Sequence, residues 1–125
     1  MKKKPLAHGR ELKICYLEQS VRYPELIQFM DELEKKHPND FKKAFQIIFK
    51  KLKDNERNYQ KLGILKKLRD DIWEVKIKGT PVRFLGFYSN NCEFCISHGC
   101  IKKSDNSKRF QNEIDKAITR KKHIQ

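Results

Sequence analysis

Cationic side chains that could bind a phosphate lie on two neighbouring predicted strands. Apolar and charged residues alternate up to Gly79-Thr80, a two-residue hairpin signal. Such a loop sets the pairing of its flanking strands, so that Val75 faces Phe84 on one side of the hairpin. On the other side Lys76 lies opposite Arg83. Like charges directly opposed in a sheet repel each other unless an anion lies over them, so the spacing predicts an anion-binding pair.

A third candidate, His98, depends on the next hairpin. A two-residue Asn90-Asn91 loop places His98 opposite Arg83, whereas a three-residue loop turns His98 to the other face. We favour the two-residue loop, which predicts a row of Lys76, Arg83 and His98 over three neighbouring strands. A lone strand histidine is more often an ordinary hydrogen-bonded residue, so the interest of His98 comes from the row.

The cysteines suggest a metal site that the strand geometry argues against. Cys92, Cys95 and Cys100, with His98 between them, are four possible zinc ligands within nine residues. Structural zinc sites, however, usually draw two ligand pairs from separate loops. A continuous strand alternates its side chains between two faces and cannot close a tetrahedron. We therefore expect reduced cysteines that pack as small hydrophobes, Cys15 in the core, and no metal or other cofactor.

The net charge narrows the class of partner. The chain has 125 residues, with 29 Lys plus Arg against 16 Asp plus Glu, a formal charge of +13. A solvated basic surface explains any single lysine cluster, but the excess over the whole chain indicates nucleic acid or an acidic protein. No run of 18 apolar residues exists, and the basic start leads into no apolar stretch. We therefore expect a cytoplasmic protein with neither a membrane span nor a signal peptide.

The elements that must position these residues follow from periodicity. We predict an α+β domain over residues 11–125, preceded by a mobile basic lead at residues 1–10. Its small antiparallel sheet carries an N-terminal helical hairpin on one face and a C-terminal helix. The predicted order is a strand at 12–17, helices at 24–36 and 41–52, a polar turn at 53–61, three meander strands within 72–100, a turn at 104–107 and a basic helix from 110. Asn39 is the expected cap of the second helix, and the missing side chain of Gly86 leaves room for the Trp73 indole.

Three segments resemble a known family. Residues 68–77 (Leu-Arg-Asp-Asp-Ile-Trp-Glu-Val-Lys-Ile) are similar to the L-x-x-x-(L/I)-(W/Y)-E-(L/V)-(R/K) strand of RelE/HigB-type toxins, and residues 82–84 (Val-Arg-Phe) to their Y-R-(I/F) strand. Residues 97–103 (Ser-His-Gly-Cys-Ile-Lys-Lys) resemble the L-H-G-F-x-K-K run of the phage-derived HigB branch. The chain thus resembles the RelE/ParE superfamily, in particular the HigB-like toxins of type II toxin–antitoxin systems. The likeness covers residues 62–123 well and the helical hairpin by arrangement.

The resemblance implies a RelE-like fold and the activity of an mRNA interferase, a ribosome-dependent endoribonuclease that binds in the ribosomal A site and cleaves mRNA. It also implies a cognate antitoxin of helix-turn-helix type that holds the enzyme inactive. Carried over by position, the catalytic candidates are Lys76, Arg83, His98, Lys102 and Lys103. Two departures stand out. Glu74 occupies a position where RelE proper has a basic residue. RelE proper also has a tyrosine at the start of its last helix, and the nearest residue here is Phe110, which lacks the hydroxyl.

Metal-independent RNA cleavage needs a base for the ribose 2′-OH, cations for the phosphate and an acid for the 5′ oxygen. Arg83 suits the phosphate because its planar guanidinium can hold two oxygens. Lys76 and His98 are candidate bases, and His98 and Lys103 are candidate acids, in an order that the residues leave open. Further RNA-backbone contacts are expected from the segment of residues 61–69, from Lys78 and from the last helix. The residues are Lys61, Lys66, Lys67, Arg69, Lys78, Lys108, Arg109 and Arg120.

Two alternatives remain. A ParE-like gyrase inhibitor shares the fold but has no catalytic row, and a non-catalytic RNA-binding relative is compatible with Glu74 and Phe110. The Lys76–Arg83 pair, together with Lys102 and Lys103, favours the nuclease.

Overall fold

A six-stranded mixed sheet organises the chain. The computed structural model describes residues 1–18, 24–103 and 107–124. Its strands are β1 (Lys2–His8), β2 (Lys13–Glu18), β3 (Leu65–Lys67), β4 (Trp73–Lys76), β5 (Val82–Asn90) and β6 (Glu93–Ile101), in the spatial order β1-β2-β6-β5-β4-β3. Its helices are α1 (Glu25–Lys36), α2 (Pro38–Phe45), a π-helical segment (Gln46–Lys51), α3 (Leu52–Lys61) and α4 (Lys108–Lys122). The β2–β6 pair is parallel and the other pairs are antiparallel. The predicted α+β class is confirmed, but the prediction of an antiparallel sheet is wrong, because β2 and β6 run parallel.

The alternation of side chains along the central strands produces two cores. Phe84, Phe94 and Ile96 belong to the core formed with α1, α2, the π-helical segment and α3. Leu85 and Phe87 belong to the core formed with α4. The sheet is therefore the middle of three layers, and α4 covers the face opposite to the other helices.

The N-terminal lead is a strand. The prediction of a mobile segment at residues 1–10 is wrong, because Lys2–His8 pairs antiparallel with β2 at the edge of the sheet. Its register shifts between Pro5 and Ala7, and exposed and half-buried residues do not alternate regularly along it, so no period-2 pattern marks it. The Lys3 ammonium contacts the Glu93 carboxylate of β6 at 2.7 Å, which ties this edge to the central strands.

The helical region is longer than the predicted hairpin. The helix of residues 24–36 is confirmed, but the next one begins at Pro38 with His37 as its N-cap, so the expected Asn39 cap is wrong. The predicted turn at residues 53–61 is wrong as well, because Leu52–Lys61 forms α3. That helix buries Leu52 and Tyr59 and little else, which left no continuous apolar stripe for sequence analysis to detect.

A strand that the sequence did not reveal, β3, extends the sheet beyond β4. The turn between them has Asp70 and Asp71 at φ 55° and 60°, and the Ile72 N–H donates to the Arg69 carbonyl at 3.1 Å. Two successive positive φ values define a type I′ turn, which aspartate tolerates. The turn brings Lys66 opposite Glu74.

The β4–β5 hairpin forms in the predicted register. Trp73 pairs with Gly86 and Lys76 with Arg83. The reason for Gly86 is different from the one expected. A Cβ at that position would lie 2.4 Å from the Cys95 carbonyl oxygen and 2.9 Å from the Phe94 ring, so β6 rather than the Trp73 indole occupies the space.

Within the described ranges, no helix is both long and apolar enough to cross a bilayer. For the predicted turn at residues 104–107, residues 104–106 lie outside the described ranges, and Ser107 is the N-cap of α4, where its Oγ accepts from the Phe110 N–H at 3.1 Å.

We expect Gly86→Ala to lower the free energy of unfolding by about 3 kcal/mol, because a methyl group there overlaps the β6 backbone. Gly63→Ala is the matched control. Gly63 has φ +73° but no neighbour within 4 Å of an added Cβ, so its cost is backbone strain of about 1 kcal/mol. Urea unfolding of the two variants measures both values. Equal losses would contradict the close approach of β6 to Gly86.

Candidate functional site

The predicted cationic pair lies at the turn end of the β4–β5 hairpin. Lys76 is exposed and sits opposite Arg83, whose side chain is 12% exposed. The Arg83 Nη1 donates to the carbonyl oxygens of Thr80 and Val82, each at 2.8 Å. These bonds hold the guanidinium at the hairpin turn, so that its orientation is set before any ligand binds.

The anion that the opposed cations require is supplied in part by the chain itself. The Glu74 side chain is 4% exposed, and its Oε2 accepts from the Lys102 Nζ at 2.9 Å. The same oxygen lies 3.6 Å from the Arg83 Nε. The Lys102 ammonium also lies 4.4 Å from the centre of the Phe110 ring. Glu74 therefore acts as an internal counter-ion for two of the predicted catalytic residues.

In the sequence Glu74 stands out only as a departure from the family pattern, and its role as a counter-ion was not predicted. A signal was present, because Glu74 precedes Lys76 by two positions and so shares its face of the strand. The pairing of Lys76 with Arg83 then places the carboxylate on the same face as the arginine.

His98 does not complete the predicted row. It pairs with Leu85, and Cys100 pairs with Arg83, so the predicted pairing of His98 with Arg83 is wrong. The β5–β6 register shifts between Tyr88 and Asn90 and again between Leu85 and Gly86. These two shifts cancel. His98 pairs with Leu85 because the two-residue loop is Asn91-Cys92 and not the predicted Asn90-Asn91. The difference amounts to two residues, so His98 still lies on the Arg83 side of the sheet.

The His98 ring is 0% exposed beneath α4. Its Nδ1 lies 2.9 Å from the Ser97 Oγ, and its Nε2 lies 3.6 Å from the Glu113 Oε2 without a hydrogen bond. The imidazole holds the pKa of the Glu113 carboxyl below its ordinary value. In this position the ring has no direct access to a substrate on the surface.

An open cleft of about 430 Å³ adjoins the pair, between the end of β6 and α4. Cys100, the pairing partner of Arg83, lines it together with Lys103 and Arg109. Burial raises the pKa of the Cys100 thiol to about 12, so this thiol stays protonated near neutral pH. The cleft therefore offers exposed cations, Lys103 and Arg109, rather than a thiolate nucleophile. The carboxylates of Glu25 and Glu113 also line it.

The predicted RNA-backbone residues fall into two groups. Six have exposed side chains that, within the described ranges, form no ion pair or hydrogen bond with another helix or strand: Lys61, Lys66, Lys67, Lys78, Lys108 and Arg109. Lys66 shares the Glu74 face through its pairing with that residue. Lys67 makes an exposed ion pair with Asp71 at 3.0 Å.

The two remaining arginines are engaged within the protein. Arg69 contacts the Asp115 carboxylate at 2.6 Å and thereby ties the β3–β4 turn to α4. Arg120 is buried, pairs with Glu25 of α1 and donates to the Ser97 carbonyl at 3.2 Å. Arg120 thus joins α1, α4 and β6 instead of facing solvent.

All four cysteines are free thiols. Cys15 is buried opposite Cys95 in the parallel β2–β6 pair, Cys100 is buried, and Cys92 is exposed. In residues 1–18, 24–103 and 107–124, no group of three or more His, Cys, Asp or Glu side chains is arranged to hold a metal ion.

Together these features define a small mixed α+β protein with a cationic pair and a basic cleft at one end of its sheet. The sequence model of the phage-derived protein Gp49-like family (DUF891) matches residues 24–122. The chain therefore belongs to this family, which is linked to the toxins of toxin–antitoxin systems. The match extends from α1 to α4 and so includes the helices that the motifs alone did not cover. A comparison with curated proteins found no match.

We expect a strong coupling between Glu74 and Lys102. Glu74→Gln leaves two partly buried cations without their carboxylate and should cost about 2–3 kcal/mol of unfolding free energy. In a double-mutant cycle with Lys102→Gln, we expect a coupling energy above about 1 kcal/mol.

The exposed Lys67–Asp71 pair is the control, with an expected coupling below about 0.5 kcal/mol. Urea unfolding measures both cycles. A Glu74–Lys102 coupling as small as that of the control pair would show that Glu74 is not the counter-ion.

Proposed function

We propose that this chain is the toxin of a type II toxin–antitoxin system that cleaves mRNA in the ribosomal A site, without a catalytic metal, and so inhibits translation. The observation that carries the proposal is the directly opposed Lys76–Arg83 pair, with Lys76 exposed and the Arg83 guanidinium held by two backbone carbonyls. Membership of a toxin-linked family supports it.

Arg83 is the residue that we assign to the scissile phosphate. Its Nη1 donates to two carbonyl oxygens, and its Nε faces Glu74. The Nη2 makes no hydrogen bond to a described residue, so it is the nitrogen left to donate to a phosphate oxygen. A donor held in place before the reaction stabilises developing charge without reorganisation.

Lys76 and Lys103 are the residues that we assign to proton transfer. Lys76 is exposed beside Arg83, and its neutral amine suits the base that accepts the 2′-OH proton. The Lys103 ammonium in the cleft suits the acid that donates a proton to the 5′ oxygen. Lys102, held by Glu74, adds positive potential without contacting the RNA. His98 contributes by positioning Glu113 and α4 under the cleft, since its ring is buried.

The proposed partners are mRNA on the ribosome and a cognate antitoxin of helix-turn-helix type. An antitoxin surface that covers Lys76 and the cleft should be acidic, because the uncompensated charge there is positive.

A second candidate is a catalytically inactive RNA-binding relative. The burial of His98 favours it, because the ring has no access to RNA, and Phe110 has no side-chain group that exchanges a proton. Binding without cleavage of translated mRNA would identify this case, and replication arrest without translation arrest would identify the gyrase inhibitor.

We expect Arg83→Gln and Lys76→Gln each to lower the rate of mRNA cleavage by at least about a hundredfold, because each removes a group that acts on the reacting phosphate. Primer extension on mRNA with translating ribosomes measures the rate, and circular dichroism verifies the fold. Free mRNA in a parallel reaction tests ribosome dependence.

Lys35→Gln, which removes an exposed lysine of α1, is the control and should cleave at the wild-type rate. An Arg83→Gln protein that is folded and cleaves as fast as the wild type would refute the assignment of Arg83.

We also expect RNA binding to weaken steeply with salt, because bound phosphates release counterions. For single-stranded RNA, Lys66→Gln should reduce the slope of log K against log salt concentration by roughly 0.7. Lys35→Gln should leave the slope unchanged. Fluorescence anisotropy over a salt series measures both, and an affinity independent of salt would contradict the proposed backbone contacts.

A further inference from the structure

A second surface with its own chemistry lies on the opposite side of the sheet. A groove of about 300 Å³ runs between the π-helical segment and the β4–β5 turn. Ile47, which is partly buried, forms its aliphatic floor. Ile77 is fully buried beneath this floor and belongs to the core on the α1–α3 side. The groove therefore lies on the face opposite to the cleft under α4.

The rim of this groove is strongly basic. Four lysines line it, and no carboxylate does. In the described part of the chain none of them forms an ion pair, whereas the neighbouring Lys53 pairs with Asp54 at 3.0 Å. The four are Lys42, Lys43, Lys51 and Lys78. Their mutual repulsion is an uncompensated cost that an anionic ligand relieves.

The local backbone shapes the groove. The Leu52 N–H donates to the Ile47 carbonyl, a bond across five residues that marks the wide turn of a π-helix. Lys43 extends from α2 toward the hairpin, where its Nζ would lie 3.4 Å from a Cβ added at Gly79. Helix and hairpin turn thus present their charges to one ligand.

The lining favours protein over nucleic acid as that ligand. Single-stranded RNA is usually held by aromatic side chains on which bases stack, and this groove has none. An aliphatic floor with a cationic rim matches leucine or isoleucine side chains flanked by glutamate or aspartate.

We propose that the groove docks an acidic segment of a partner protein, with its aliphatic side chains on Ile47 and its carboxylates on the lysine rim. The inference does not depend on RNA cleavage. Because the groove and the Lys76–Arg83 pair lie on opposite faces, a partner bound here leaves that pair uncovered.

The test uses a fluorescein-labelled synthetic peptide of glutamate and alanine with leucine at every third or fourth position, and the full-length protein. Anisotropy titration should show saturable binding, which weakens about tenfold in Lys42→Glu/Lys43→Glu because two attractive charges become repulsive. Lys35→Glu/Lys36→Glu changes the charge equally, also in the last turn of a helix, and should bind the peptide within about twofold of the wild type.

A second comparison tests the floor. Ile47→Gln should weaken the leucine peptide about threefold and leave a peptide with serine in place of leucine unaffected, since only the former buries apolar area. Thermal melts verify that each variant is folded.

Three results would overturn the proposal. The first is that the leucine peptide fails to bind saturably, and the second is that the two double variants lose equal affinity for it. The third is that Ile47→Gln has no effect on peptide binding, while a short RNA binds more weakly to Lys42→Glu/Lys43→Glu but not to the control double variant. The last result would identify the groove as an RNA-backbone surface. RNA cleavage is measured separately, so that its absence bears on the proposed function and not on the groove.

Discussion

The buried carboxylate of Glu74 is the constraint around which the candidate site is arranged. A carboxylate at 3% exposure is stable only with close cationic partners, and Lys102 and Arg83 are those partners. Two of the chain's many cations are thereby directed inward at the end of the hairpin. The charge that remains for a ligand is that of Lys76, the outer edge of Arg83, and Lys66 and Lys103 nearby.

The three-layer architecture separates two basic surfaces. The sheet places Lys76 and Arg83 on the α4 side and the lysine groove on the α1–α3 side. Arg120 connects these layers, since it pairs with Glu25 of α1 and donates to Ser97 of β6. The formal charge of +13 is therefore divided among groups that maintain the fold, groups suited to RNA and groups suited to an acidic partner.

Local periodicity was a good guide where one element buries one continuous face. It located α1, α4 and the β4–β5 hairpin, whose register follows from a tight turn and matching apolar pairs. It failed for β1 and β3, because these edge strands take their stability from a neighbour's backbone rather than from an apolar face. It failed for α3 because that helix buries few side chains.

By itself, the sequence determined the α+β class and the opposition of Lys76 and Arg83. It also predicted that the cysteines are reduced. Each depends on residues close together in the chain. The tertiary structure alone decided which cations are available. A β5–β6 turn one residue later than expected placed His98 beside Leu85, α4 covered its ring, and Glu74 and Glu25 engaged Lys102 and Arg120. Burial and ion pairing arise from elements far apart in sequence, and no local pattern records them.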